Sequence, residues 1–412
     1  MTTPDASPAA LLAIDWADQK HDFALLAEGA AEAEIGRLEH EPGRLAEFIT
    51  SLRERFGGRP VAVIVEQKRG ALIHALLGHE HLWLYPVNPL SLARFRETFA
   101  TSGAKDDPSD AGLLLDLLAK HRERLHRWLP EDSHTRTLAL LVEERRRAID
   151  ERTRLVEQLL ACLKGYYPQA IALLGGQLDT ALACKLLLKW PHFEPLARAR
   201  HDTIRRFFYA HHFRRIDRLE ERLRSLAGAT ALTTDGPVIE AGRSRATRLA
   251  GQILALLPHI KAFDKRIAEL FAAHPDSPIF ASLPGAGAAL APRLLAAFGS
   301  QRERWSDASH VATFTGIAPI IKRSGKQSLT LFRRAAPKFL RQSFHEFANT
   351  SINFCPWAHH FYRAKRATGR NHHSAVRALA FKWIRIIYAC WRQGLPYDPA
   401  RYSTETPPHP AT

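Results

Sequence analysis

Two short apolar runs that each end in an acidic residue constrain the fold of the first hundred residues more than any other feature. The first run is Leu11-Leu12-Ala13-Ile14-Asp15, and the second is Val61-Ala62-Val63-Ile64-Val65-Glu66. Runs of this length and composition predict strands that are covered on both faces, as in an α/β sheet. If the two strands are neighbours, both acids emerge at one edge of the sheet, where ligand sites of α/β domains lie.

The elements around these runs divide the chain into an α/β part and a helical part. The predicted strands are 11–15, 23–26, 61–66 and 82–87, and the predicted helices are 42–56, 70–78, 138–163, 243–273, 329–349, 357–367 and 373–391. The stretch 138–163 is long, amphipathic and heavily charged, which is typical of a coiled-coil or bundle arm. The fold class is therefore α/β plus α, with a mixed sheet domain followed by helical domains.

This pattern predicts four segments. They are an α/β domain at 8–128, a helical coiled-coil arm and linker at 129–275, a mostly helical domain at 276–395 and a loose proline-rich tail at 396–412.

The positive charge of the chain is concentrated near its end. The formal net charge is +16, and residues 281–412 contain 19 Lys and Arg against 5 Asp and Glu. A one-sided basic domain predicts a polyanionic partner, with nucleic acid first. The alternative is a basic surface that only keeps the protein in solution.

The cysteine content and the apolar runs favour a cytoplasmic protein. The four cysteines form no Cys-x-x-Cys pair, so neither a disulfide framework nor a zinc site is expected. We expect no signal peptide, because the start Met-Thr-Thr-Pro-Asp lacks a basic region followed by an apolar stretch. We expect no contact with a membrane, because no apolar run is long enough to span a bilayer. In a bacterium such a protein would associate with the nucleoid.

A second acidic group lies in Lys105-Asp-Asp-Pro-Ser-Asp110. Pro108 suits the first turn of a helix, so Asp107 would be its N-cap and Asp110 would lie on the same helical face. Each acid alone could be a cap or a surface residue. Together with Asp15 and Glu66, the pair predicts four carboxylates whose repulsion a divalent cation such as Mg²⁺ would relieve.

The basic end contains a candidate nucleophile. Ser324 is flanked by Lys322, Arg323 and Lys326, which can hold a phosphate while a serine hydroxyl attacks it. The alternative is a phosphate-binding Ser-Gly turn without catalysis. We interpret the basic residues around and after the serine as contacts to a nucleic-acid backbone; they are Lys322, Arg323, Lys326, Arg333, Arg334, Lys338 and Arg341.

These motifs resemble the insertion sequence 110 family of transposases. The resemblance is carried by Ile14-Asp15, Val65-Glu66 and Lys105-x-Asp107-x-x-Asp110-Ala111, and further on by Leu283-Pro-Gly-Ala-Gly287, Ala308–Pro319 and Ser324-Gly325-Lys326. It implies a ribonuclease-H-like, RuvC-like domain whose Asp-Glu-Asp-Asp acids bind divalent metal, and a carboxyl-terminal transposase domain in which Ser324 is the nucleophile. Asp106 stands where the family usually has threonine, which leaves it open whether Asp106 also binds metal.

The resemblance also implies partners. Transposases of this family are recombinases guided by a structured noncoding bridge RNA, and they act on donor and target DNA as dimers or tetramers with sites composed from two protomers. Two other functions fit the residues. One is a metal-dependent, structure-selective nuclease of the Holliday-junction resolvase kind, and the other is a protein that binds nucleic acid without cutting it.

Overall fold

The computed structural model describes residues 7–66, 70–89, 92–93, 95, 107–324, 327–331, 333 and 336–402, apart from the side chains of residues 107–109 and 321–330. The chain forms two compact units, Met1–Pro130 and Glu131–Thr412. No helix in these described ranges is long and apolar enough to cross a membrane.

The first unit is built on a mixed five-stranded sheet. Its strands are β1 (Ala10–Asp15), β2 (Lys20–Ala27), β3 (Glu34–Glu39), β4 (Val61–Val65) and β5 (Leu82–Pro86). They follow the order β3-β2-β1-β4-β5. The pairs β1–β2 and β2–β3 are antiparallel, whereas β1–β4 and β4–β5 are parallel. The mixed sheet expected from the sequence is confirmed, with β3 as a strand that the sequence did not indicate.

Helices cover both faces of this sheet because the central strands alternate between two apolar cores. Helices α1 (Pro42–Arg55) and α2 (Ala71–Leu76) pack on the face that includes Leu12, Ile14 and Val63. Helix α3 (Asp107–His121) packs on the other face. Small residues at Ala13, Ala24 and Ala62 line that face, and they let α3 lie close to the strands.

The second unit is helical apart from one hairpin among its described residues. The helices are α4 (Ser133–Tyr166), α5 (Pro168–Leu174), α6 (Ala181–Lys189), α7 (Phe193–Ala197), α8 (His201–Ala210), α9 (Ile216–Ala227), α10 (Gly236–Ala273), α11 (Ser277–Ala281), α12 (Gly287–Phe298), α13 (Ala308–Phe314), α14 (Lys338–Phe354), α15 (Pro356–Ala367) and α16 (His372–Gln393). The hairpin strands are β6 (Ile320–Ser324) and β7 (Gln327–Leu331).

The two longest helices, α4 and α10, lie antiparallel along each other. The His134 Nε2 is 2.7 Å from the Leu270 carbonyl oxygen near one end, and the Cys162 thiol is 3.5 Å from the Gly242 carbonyl oxygen near the other. One core joins the second half of α4 to α5–α9, and another joins its first turns to α11–α16. The pairing explains the amphipathic pattern of α4, whereas a coiled-coil arm stays a prediction.

Two helix boundaries predicted from the sequence are wrong. The helix expected at 329–349 begins only at Lys338, because residues up to Leu331 pair with β6 and Pro337 cannot continue a helix from preceding residues. Arg333 therefore precedes the helix to which the sequence assigned it. The composition of residues 226–240, with its glycines, threonines and proline, predicts a linker there, but the segment between the helices is shorter, since α9 continues to Ala227 and α10 begins at Gly236.

Candidate functional site

Asp15 and Glu66 follow neighbouring positions of two parallel strands. Ile14 pairs with Val65, so the two acids come directly after paired residues at the same edge of the sheet. Strand alternation puts Asp15 on the face of Ala13 and Glu66 on the face of Ile64, which is the face that α3 covers. Both acids are partly exposed. The structure thus brings together the first two predicted metal ligands.

The second pair of acids lies in the first turn of α3. The helix begins at Asp107, and Asp110 is buried with only 2% of its surface exposed. Asp110 directly precedes Ala111, which packs against the sheet. The side chain of Asp107 and the whole of Asp106 lie outside the described residues.

The sheet contributes a further acid that the sequence did not single out. Asp22 on β2 is directly opposite Asp15 in the antiparallel register and lies on the same face as Ala24. Its carboxylate accepts a hydrogen bond of 2.9 Å from the Arg37 guanidinium on β3. The sequence does not place Asp22 opposite Asp15, because the register of a hairpin is fixed only in the folded chain. Arg37 offsets part of the negative charge that gathers at this edge.

A pair of histidines fixes the turn that follows Asp15. The Ala17 backbone N–H donates to Nδ1 of the buried His21, so the proton of this imidazole is on Nε2 and is donated to Nδ1 of His40, 2.9 Å away. Burial, and secondarily His40, lowers the pKa of His21, which is therefore neutral at physiological pH. This hydrogen-bonded pair holds the turn beside the acidic edge.

The donor set at this edge suits a hard divalent cation. Carboxylate oxygens are the ligands that Mg²⁺ prefers, and the acids gathered on one sheet face provide oxygen donors without thiols. No group of three or more His, Cys, Asp or Glu side chains forms a ready metal site among the side chains that the structure describes, a set that excludes Asp107. The residues fit the metal by chemistry and by their shared sheet face.

Ser324 ends the first strand of the β6–β7 hairpin. It pairs with Gln327, which leaves a two-residue connection, and tight hairpins of this kind present the strand end at the tip. Lys322 and Arg323 lie on β6 with Ser324. The side chains of these three residues lie outside the described set, as do the whole of Lys326 and Arg334. Lys338 is exposed at the start of α14.

The segment that follows the hairpin packs tightly against Gly316, which precedes the hairpin in the chain. The Arg341 guanidinium donates a 3.1 Å hydrogen bond to the Arg333 carbonyl oxygen. Gly316 has a φ of +74°, and a Cβ added there would lie 2.5 Å from the Ala336 Cβ. Only glycine fits this turn, both by backbone conformation and by space.

We expect Gly316→Ala to destabilise the carboxyl-terminal unit. The methyl group combines an unfavourable backbone conformation with a contact that forces Ala336 to move, and overpacking of this kind costs about 1–3 kcal/mol. The measurement is the free energy of unfolding in urea. Gly369→Ala is the matched control, since Gly369 has a φ of +80° and open space around the added Cβ. An equal loss of unfolding free energy in both variants would show that the turn at Gly316 has space for a methyl group.

Comparison with known proteins identifies two regions of the chain. Residues 12–168 match the family model of the DEDD transposase of IS110 elements, and residues 277–363 match the model of the IS116/IS110/IS902 transposase family. The chain is therefore a transposase, with an amino-terminal domain of the DEDD kind. It belongs to the IS110 family.

Relatives match the chain over most of its length. The "mini-circle putative transposase for IS117" of Streptomyces coelicolor is 27% identical over 94% of this chain and 95% of its own length. An uncharacterized 44.8 kDa protein of insertion element IS116 from Streptomyces clavuligerus is 26% identical over 95% of this chain and 96% of its own length. An uncharacterized 43.6 kDa protein of IS110 from Streptomyces coelicolor is 25% identical over 88% of this chain.

Proposed function

We propose that this transposase moves its element by cutting and rejoining DNA through a phosphoserine intermediate at Ser324, under the guidance of a structured noncoding RNA. The observation that carries the proposal is that one chain of this family contains both an acidic sheet edge in its first unit and a basic hairpin in its second. Asp15 and Glu66 lie together on the α3 face, and Ser324 ends β6 among basic residues.

The acidic edge would hold the metal ion that makes the phosphate easier to attack. Asp15, Glu66, Asp107 and Asp110 would hold Mg²⁺, which when bound neutralises charge on phosphate oxygens. The His21–His40 hydrogen bond keeps the turn after Asp15 in place, and the hydrogen bond from Arg37 orients the Asp22 carboxylate. Asp106 is an alternative ligand to Asp107.

The hairpin supplies the nucleophile. The Ser324 hydroxyl oxygen attacks the phosphorus, a serine–phosphate bond forms, one phosphate–deoxyribose bond breaks and the released sugar oxygen takes up a proton. Attack on the phosphoserine by a sugar hydroxyl of another DNA end reverses these changes and joins the new strands. Lys322, Arg323 and Lys326 stabilise the charge that develops on the phosphate. Arg333, Arg334, Lys338 and Arg341 contact the backbone and position it.

An oligomer fits this chemistry, because two DNA duplexes must be cut and exchanged in one complex. By the family resemblance, we infer a homodimer or tetramer that brings donor and target DNA together. The noncoding RNA would select both DNA sequences by base pairing. The basic residues of the protein suit contacts to the nucleic-acid backbone, which position the strands without reading their sequence.

Reconstitution tests the function. We expect purified protein, the noncoding RNA that flanks its gene, Mg²⁺ and matched donor and target DNA to yield recombinant junctions and a covalent protein–DNA species. Omitting either the RNA or Mg²⁺ should abolish both products. Cutting without a covalent species would instead support the structure-selective nuclease, and tight binding without any metal-dependent reaction would support the binding protein.

A further inference from the structure

Helices α14 and α16 bring together four basic side chains. Arg341 and His345 are four residues apart on α14, and His373 and Arg377 are four apart on α16, so each pair lies on one helical face. The rings of His345 and His373 have centroids 5.6 Å apart, which joins the two faces. We call Arg341, His345, His373 and Arg377 the basic cluster.

The surroundings of the basic cluster are also rich in positive charge. Neither α15 nor α16 contains an Asp or Glu. The one acid of α14, Glu346, is hydrogen-bonded at 2.6 Å to Arg293 of α12 and at 3.1 Å to Arg146 of α4. His372 is beside the cluster, with its ring 5.2 Å from that of His373 and its Nδ1 2.9 Å from the Tyr362 hydroxyl.

This arrangement is unfavourable for the free protein. Burial lowers the pKa of His345; a hydrogen bond with the His373 backbone opposes this, and the charges of His373 and Arg377 add to the lowering. Burial lowers the pKa of Arg377 as well, and Arg341 adds to the effect. Partly desolvated groups of like charge cost folding free energy, and folds retain such costs mainly where they serve binding or catalysis.

The position of the basic cluster relates it to the candidate nucleophile. Arg341 is hydrogen-bonded to the carbonyl oxygen of Arg333, which closely follows β7 of the Ser324 hairpin. The same Arg341 side chain lies 3.6 Å from a Cβ added at Gly316. The cluster thus borders the segment that leaves the hairpin.

We propose that Arg341, His345, His373 and Arg377 bind one phosphate of the nucleic-acid backbone; this rests on the proposed function, because it assumes that nucleic acid lies along the Ser324 hairpin. Guanidinium groups hold phosphate oxygens through paired hydrogen bonds, and an imidazolium adds a charged donor. The site positions the backbone and reads no sequence.

Binding at this site takes up a proton. The charged groups that act on His345 are His372, His373 and Arg377 of α16. On its own helix, Arg341 lies one turn before it and Glu346 directly follows it. From the neighbouring helices, Tyr362 of α15 reaches His372 and is itself bonded by Arg366, and Arg293 of α12 binds Glu346. In the free protein the positive neighbours favour neutral His345, whereas a bound phosphate favours the imidazolium. The pKa of His345 is therefore higher in the complex, and affinity increases as pH falls through the histidine range.

The test is the pH and salt dependence of nucleic-acid binding by the full chain. Labelled DNA duplex and labelled RNA duplex are titrated at about pH 6 and about pH 8, on either side of the histidine pKa. We expect the wild type to bind one or both more tightly at the lower pH. The double variant His345→Gln/His373→Gln should lose most of that difference and keep its affinity at the higher pH. If the histidine variant loses the pH dependence of its affinity for only one of the two duplexes, that nucleic acid, DNA or RNA, supplies the bound phosphate.

A second variant tests the arginine contact. Arg377→Gln should weaken binding at both pH values and reduce the slope of log K against log salt by about 1, as expected for the loss of one phosphate contact. The controls are His359→Gln/His360→Gln and Arg363→Gln, all at exposed positions of α15. If Arg377→Gln does not fold, the pH dependence of binding by the histidine variant alone tests the phosphate site.

An unchanged pH difference in the histidine variant, or an unchanged salt slope in folded Arg377→Gln, overturns the site. Because both readouts are equilibrium binding, they are independent of strand transfer. Failure of the wild type to form a covalent DNA species would contradict the proposed function and leave these binding results to be judged separately.

Discussion

Asp15→Asn will leave the protein folded and abolish metal-dependent strand transfer. The substitution keeps the size of the side chain and removes one carboxylate charge from the sheet edge shared with Glu66. Loss of a metal ligand removes several kcal/mol of transition-state stabilisation, and each 1.36 kcal/mol is tenfold in rate, so we expect a fall on the order of 10³-fold. The measurement is the rate of junction formation at saturating Mg²⁺.

Thermal unfolding gives the same variant a readout that does not depend on catalysis. Ligand that binds only the folded state stabilises it, by about 2.7 kcal/mol at a concentration of 100 Kd. Mg²⁺ should therefore raise the Tm of the wild type and have little effect on that of Asp15→Asn. The Tm of each protein without metal is its own baseline, so the quantity compared is the shift that Mg²⁺ produces.

The matched control is Asp18→Asn. Asp18 is exposed in the turn that follows β1, three residues from Asp15, and the chemical change is identical. This control should retain both strand transfer and the Mg²⁺ response of the Tm. If Asp15→Asn retains them too, the first strand does not end in a metal ligand.

Ser324→Ala will eliminate the covalent protein–DNA species together with recombinant junctions. Alanine lacks the hydroxyl oxygen that accepts the phosphoryl group, so residual joining should be below about 10⁻³ of the wild-type rate, in line with the loss of a covalent nucleophile elsewhere. Affinity for DNA and RNA should change little, since the basic residues of the hairpin remain. The measurement is the denaturant-resistant DNA adduct resolved by gel electrophoresis.

Ser328→Ala is the control that distinguishes loss of the nucleophile from a general effect of removing a hydroxyl from the hairpin. Ser328 lies on β7 of the same hairpin, where it pairs with Arg323, and the substitution removes the same atom. This control should form the adduct at close to the wild-type rate. A full adduct from Ser324→Ala would assign the nucleophile to another residue and leave Ser324 as a phosphate contact.

The sequence predicted the strands whose apolar runs are continuous and missed the one that alternates. Val61–Val65 is buried throughout, so its pattern was unambiguous. β3 is an edge strand that reads Glu-Ile-Gly-Arg-Leu-Glu and exposes 68% of Ile35, so neither burial nor composition marked it. An edge strand depends on pairing with β2, which is a tertiary property.

The hairpin that carries Ser324 had a local signal that the helical interpretation overlooked. Ile320 and Ile321 precede the Ser-Gly-Lys turn, and Leu329 to Leu331 follow it with alternating character. Such runs about a two-residue turn are typical of a hairpin. The leucine and arginine content of the next residues favoured helix instead, and pairing across the turn decided the outcome.

The acidic site could be anticipated in part. That Asp15 and Glu66 end strands was visible from the chain, and their place on one sheet face follows from the parallel register. Asp22 and the basic cluster could not be anticipated, because Asp22 depends on hairpin register and His345 meets His373 only when α14 packs on α16. Neither arrangement leaves a periodic pattern in the sequence.

The most direct test of the account is to identify the residue that is joined to DNA. The covalent species is formed with wild-type protein, RNA, Mg²⁺ and DNA, then digested with protease and nuclease, and the modified peptide is sequenced by mass spectrometry. We expect a nucleotide linked through phosphate to Ser324. A nucleotide on any other residue, or DNA cut and rejoined with no modified peptide, would contradict it.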